Sequence, residues 1–201
     1  MANTRGSFRQ TWTAIRALVI FTIVLGILYP ATITLVAQLM PNQANGSLVE
    51  VDGEVVGSLS LGQSFTDADG NALPEWFQSR PSAAGAGFDG AASSGSNYGP
   101  ENADLIAAIK ARQAAISELE GVDVADIPVD AVTASASGLD PHISEAYALL
   151  QVPRVARERG LEESTVRELV ESMVEGRDLG YLGEIRVNVL ELNVALAGMD
   201  K

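Results

Sequence analysis

Residues 14–40 read AIRALVIFTIVLGILYPATITLVAQLM, and this stretch decides the architecture. No charged side chain follows Arg16 until Glu50. As a helix, residues 17–40 would be about 36 Å long, enough to cross a hydrocarbon core of about 30 Å with some tilt. Trp12 falls where an interfacial aromatic belongs. Arg5, Arg9 and Arg16 all flank the N-terminal side, so the positive-inside rule puts the N-terminus in the cytoplasm and the remainder outside. A cleaved signal peptide carries about 7–15 apolar residues and ends in small-x-small. Here the run is longer, and its exit, Leu35-Val36-Ala37-Gln38, lacks the first small residue. The reading is a cytoplasmic tail over residues 1–13, one transmembrane helix over 14–40, and an extracytoplasmic α+β domain over 41–201.

Within the helix, Thr22, Gly26, Pro30, Thr34 and Gln38 recur every fourth residue as a stripe of small or polar side chains. Small residues at this spacing let a second helix approach closely in lipid, so the stripe is expected to pack against another membrane subunit. Pro30 cannot donate to the Gly26 carbonyl, and a kink is expected there.

The charge changes sign beyond the membrane. Three of the 13 bases precede Glu50, which leaves 10 against 26 acids and a net of −16 for the rest. Such a surface is not built for nucleic acid. There are no cysteines, which removes disulfides, thiol nucleophiles and Cys-based zinc sites. A domain of this size can instead rely on its core.

Asp52-Gly53 between two β-rich runs predicts a two-residue hairpin. Residues 65–98 read as a long ordered loop anchored by Trp76, Phe77, Phe88 and Tyr98. A helix is expected from Asn102 to Gly121, with Leu105, Ile106, Ile109, Ile116 and Leu119 on one face. Residues 127–133 and 186–194 alternate well enough to be read as strands. Between them, Ser144 caps a helix that is bent or broken at Pro153 and stopped by Gly160, and a further helix covers about 162–175.

No catalytic centre emerges. The Gly/Ser loop around Ser94, Gly95, Ser96 and Asn97 lacks the Lys-Ser or Lys-Thr that ends a phosphate loop, although its backbone amides could hold an anion. His142, the only histidine, stands near Asp140, Ser135 and Ser137. No Gly-x-Ser-x-Gly elbow accompanies them, so a turn or capping role is expected rather than a hydrolytic triad. A lone histidine with scattered acids does not make a metal site. No phosphorylation motif Asp-Lys-Thr-Gly is present.

Several stretches taken in order resemble one family. They are Gln43-Ala44-Asn45-Gly46-Ser47, Gly62-Gln63-Ser64-Phe65, Arg80-Pro81-Ser82-Ala83, Ser94-Gly95-Ser96-Asn97 with Gly99-Pro100, residues 129–135, residues 137–144, Arg154-Val155-Ala156 and residues 187–193. Each is ordinary alone. The ordered set resembles the C subunit of the bacterial Kdp potassium-transporting ATPase, with a Gly-rich departure over residues 84–92. The resemblance implies a non-catalytic accessory subunit in the bacterial inner membrane. Its partners would be a potassium-conducting subunit and an ATP-hydrolysing P-type subunit. It also implies an alternative role, a catalytic chaperone that raises the ATP affinity of the P-type subunit, with ATP as the only small-molecule ligand. The topology read from the arginines conflicts with that alternative, because ATP is cytoplasmic.

Overall fold

The computed structural model describes residues 4–199, with side chains from Phe8 onward. The first three residues of the expected tail and the last two of the expected domain lie outside the described residues. The described chain divides into two units, Met1–Ser47 and Leu48–Lys201.

The first unit is helical: α1 (Thr4–Ile23), a π-helical turn (Val24–Leu28), α2 (Tyr29–Ala37) and a short α3 (Pro41–Ala44). Over Phe8–Ala37 it is long and apolar enough to cross a membrane. The helix therefore begins before residue 14, inside the expected tail. The backbone meets Pro30 in a specific way. The Tyr29 N–H donates to the Val24 carbonyl, five residues back, so the turn widens just ahead of the proline.

The second unit opens with the hairpin β1 (Leu48–Val51) and β2 (Glu54–Ser58), antiparallel with Val51 opposite Glu54. Asp52 and Gly53 take φ of 53° and 82°, as a two-residue turn matched to strand twist requires. No named helix or strand then occurs until α4 (Ala103–Glu120). Asn102 caps α4 by accepting from the Asp104 and Leu105 N–H groups, and left-handed Gly121 ends it. Next come α5 (Val129–Val132), β3 (His142–Ile143), α6 (Glu145–Arg159), α7 (Glu163–Ser172), β4 (Val187–Asn188) and α8 (Val189–Gly198). β3 and β4 pair antiparallel over two residues.

The core lies where α6, α7 and α8 meet. Tyr147, Val152 and Val155 of α6, Val166 and Val170 of α7, and Val189, Leu192 and Leu196 of α8 are buried with Phe77 and Ile143. The expected anchors of the long loop divide. Phe77 is fully buried and Trp76 packs on the core, whereas Phe88 is half-buried and Tyr98 is 45% exposed. On α4, Ile109 and Ile116 reach the core but Ile106 points to solvent.

Three expectations are corrected. Residues 129–132 are helical, not a strand: Pro128 precedes the turn, and the Thr133 hydroxyl closes back on the Val129 carbonyl at 2.8 Å. Of the segment 186–194, Arg186 makes a single bridge to Glu175 and Val187 and Asn188 form a two-residue strand. Asn188 then caps α8 by accepting from the Glu191 N–H at 3.2 Å, and Val189, Leu192, Asn193 and Leu196 follow helical spacing. Pro153 does not break its helix: α6 runs through it from its Ser144 cap to left-handed Gly160, since proline removes one backbone donor while the turns on either side keep theirs.

Candidate functional site

Asp140 sits at the end of a loop and organises its surroundings. One of its oxygens accepts from the His142 backbone N–H at 3.0 Å and stands 3.2 Å from the His142 ring Nδ1. The other accepts from Arg80 Nη1 at 2.8 Å. Arg80 also donates to the Thr133 carbonyl at 3.3 Å. All three side chains are partly exposed, between 22% and 29%. Burial alone would raise the Asp140 carboxyl, but the hydrogen bonds from His142 and Arg80 outweigh it and bring the group down to about 2. Both Asp140 oxygens are engaged, and at neutral pH the group is ionised.

The serines do not complete a triad. The Ser135 and Ser137 hydroxyls lie 3.5 Å from each other, and Ser137 also accepts from the Leu139 N–H. Among the described residues the recorded ring partner of His142 is Asp140. No group of three or more His, Asp or Glu side chains converges among the described residues in a way that could hold a metal ion.

The Gly/Ser loop packs on the neighbouring one. The Ser93 hydroxyl donates to the Ser137 carbonyl at 3.0 Å. A Cβ on Gly95 would stand 2.8 Å from the Ala136 carbonyl, so only glycine allows this approach. Ser94 and Asn97 both donate to the Gly95 carbonyl, while Ser94, Ser96 and Asn97 are exposed. The structure therefore joins loop 93–97 to loop 135–138. Asp140 and His142 form a separate cluster with Arg80.

In the apolar N-terminal helix the residues of the stripe lie closer to one face than four-residue spacing on an uninterrupted α-helix would put them. At about 100° per residue, steps of four drift by about 40°, so Thr22 and Gln38 would lie about 160° apart on an uninterrupted α-helix. The π turn takes in one extra residue, which cuts the separation to about 60°. A Cβ on Gly26 would sit 4.0 Å from Thr22 Cγ2, so these two share a face. The Thr34 hydroxyl donates to the Pro30 carbonyl at 2.9 Å, so it offers a small surface rather than a free donor.

Trp76 and Phe77, expected as anchors of the long loop, belong to a segment held by side chains far away in the sequence. Residues 74–78 cross the core without joining a strand, and distant side chains satisfy their backbone. Asn193 accepts from the Phe77 N–H at 2.9 Å and donates to its carbonyl at 3.0 Å. Gln151 does the same for Gln78 at 2.7 and 3.2 Å. Arg154 donates to the Pro74 and Trp76 carbonyls, to Gln151, and through Nε to both oxygens of Glu120 at 3.0 Å. Arg154 and Glu120 are each 1% exposed at the side chain. Burial pushes the Glu120 carboxyl up, against the pull of Arg154. Arg159 lies 4.2 Å from the Trp76 ring centroid and donates to the Glu75 carbonyl. Gln151 and Arg154 among the apolar residues of α6, and Asn193 among those of α8, were the available signal, since buried polar groups need partners.

A cavity of about 730 Å³ lies between this segment, α4 and α6. Its arginines are committed: Arg154 to Glu120, Arg157 to Glu158, and Arg112 to the Val132 carbonyl.

Comparison with known proteins agrees with the ordered motifs. The KdpC family, described as K+-transporting ATPase, c chain, matches residues 11–198. A protein of Caulobacter vibrioides named potassium-transporting ATPase KdpC subunit is 54% identical over 179 residues, covering 88% of this chain and 87% of the relative. One of the same name from Methylococcus capsulatus is 50% identical over 185 residues, covering 91% and 94%. A third, from Kineococcus radiotolerans, is 48% identical over 188 residues, covering 94% and 93%.

Proposed function

The chain belongs to the KdpC family, a subunit of the K+-transporting ATPase, and from that membership we propose a non-catalytic accessory subunit that acts at the outer face of the potassium-conducting subunit. Its membrane helix docks through Thr22, Gly26, Pro30, Thr34 and Gln38, and its acidic domain stabilises the assembly on the side from which potassium enters. The observation that carries this reading is the commitment of the polar side chains. Asp140 is held by Arg80 and His142, and Arg154 by Glu120 and three backbone or amide oxygens. These side chains are spent on holding the backbone and each other, which supports a structural rather than a chemical role for them.

The chemistry of the domain gives less support to a role in raising the ATP affinity of the ATP-hydrolysing subunit. Loop 93–97 spends two side-chain donors on its own Gly95 carbonyl and holds no cation for a phosphate. Photoreactive ATP applied to the intact complex separates the two. The accessory reading predicts labelling of the ATP-hydrolysing subunit and none in this chain. Adducts within residues 93–142 would replace it with the nucleotide reading.

A further inference from the structure

Between α7 and β4, residues 175–186 form a narrow finger. Glu175 and Arg186 exchange backbone hydrogen bonds at 2.8 and 3.1 Å, and Asp178 and Leu182 exchange both of theirs at 2.9 Å. Ion pairs Arg177–Glu184 and Arg186–Glu175, each 2.9 Å, brace its sides. It is a built element, not a slack connection. Its tip is nevertheless apolar and open to water: Leu179 is 82% exposed, Tyr181 69% and Leu182 48%, and Ile185, nearer the base, is 46% exposed. Leu179 also holds φ of +54°, where the Cβ of a bulky residue is crowded and glycine or asparagine is at home. The free chain thus bears two costs at one residue, backbone strain and hydrated apolar surface. Glycine at 179 would remove both. Strain held in a braced element points to an interaction made elsewhere.

We infer that this tip seats in an apolar socket on another subunit of the K+-transporting ATPase; the inference rests on membership of that complex. Charge selects protein over lipid. The finger carries Glu175, Asp178 and Glu184 against Arg177 and Arg186, on a domain already strongly acidic. Glu184 is 86% and Asp178 72% exposed at the side chain. Elements that enter an anionic bilayer surface carry lysine and arginine around their apolar residues. Here acids outnumber arginines three to two, both arginines are ion-paired to them, and Glu184 and Asp178 are the most exposed charges, which suits a socket with a basic rim.

The test uses the full chain in the detergent-solubilised complex. With p-benzoylphenylalanine in place of Tyr181, light is expected to join this chain to another subunit. Leu179→Gly is expected to resist unfolding at least as well as the parent, yet to leave the complex at least tenfold faster; Tyr181→Asp should leave faster as well. Adducts to lipid alone or to a second copy of this chain, no adduct at all, or unchanged dissociation of both variants would overturn the inference while co-purification upholds complex membership. Loss of co-purification by the unaltered chain would overturn membership and the inference together.

Discussion

Asp140 shows how much one carboxylate can settle. Its carboxyl is held at about 2, below its ordinary 3.8, so the ionised form favours the fold. Stability from a depressed carboxylate is fully present above the unfolded-state value and is lost as the pH falls through the folded one. Solvent reaches the group, so the contribution is discounted to about 1–2 kcal/mol. Asp140→Asn is expected to lower stability by that amount at pH 6, and the gap from the parent should roughly halve by pH 3. Urea unfolding of the full chain in detergent, followed by Trp76 fluorescence, measures it. A gap that stays constant with pH would remove the charge from the explanation. His142 lies two residues from Asp140, and a local turn between them was readable from the sequence. Arg80, which supplies the other half of the clamp, lies 60 residues away and carried no such signal. The same separation hid Asn193 and Gln151, whose amides serve backbone groups 116 and 73 residues distant.

Among the elements, those fixed by local chemistry were legible. Asp52-Gly53 turns the hairpin, Asn102 and Gly121 bound α4, and Ser144 and Gly160 bound α6. The failures came where an apolar run fits two periods. Residues 186–194 alternate like a strand, but Asn188 accepts from the Glu191 N–H and the following residues bury a helical face. The segment 74–78 has no periodicity at all, because side chains of α6 and α8 replace a neighbouring strand. The membrane helix was legible by length alone, but its π turn was not. That turn narrows the stripe to roughly one face. Gly26→Leu should block close approach of a second helix and sharply reduce the amount of chain that co-purifies with the membrane subunits. Its domain should unfold as before. Undiminished co-purification would show that the stripe is not a contact.

At the scale of the whole molecule, an apolar N-terminal helix, flanked by arginines on one side only, precedes a domain of strongly negative charge. The functional reading depends on which side of the membrane that domain occupies. An outer location places its acids beside incoming potassium; local enrichment of cations reaches only about 8 Å at physiological salt, so the domain must sit at the entrance to matter. An inner location would place the same loops beside ATP. The chain has no cysteine, so a single introduced thiol reports without background. The most direct measurement is labelling of Ser96→Cys, on an exposed loop, with a membrane-impermeant maleimide in spheroplasts, against a cysteine placed at Phe8. The account predicts that position 96 reacts in intact spheroplasts and position 8 only after the membrane is opened. Reaction at position 96 only after opening, with position 8 reacting before it, would contradict the account.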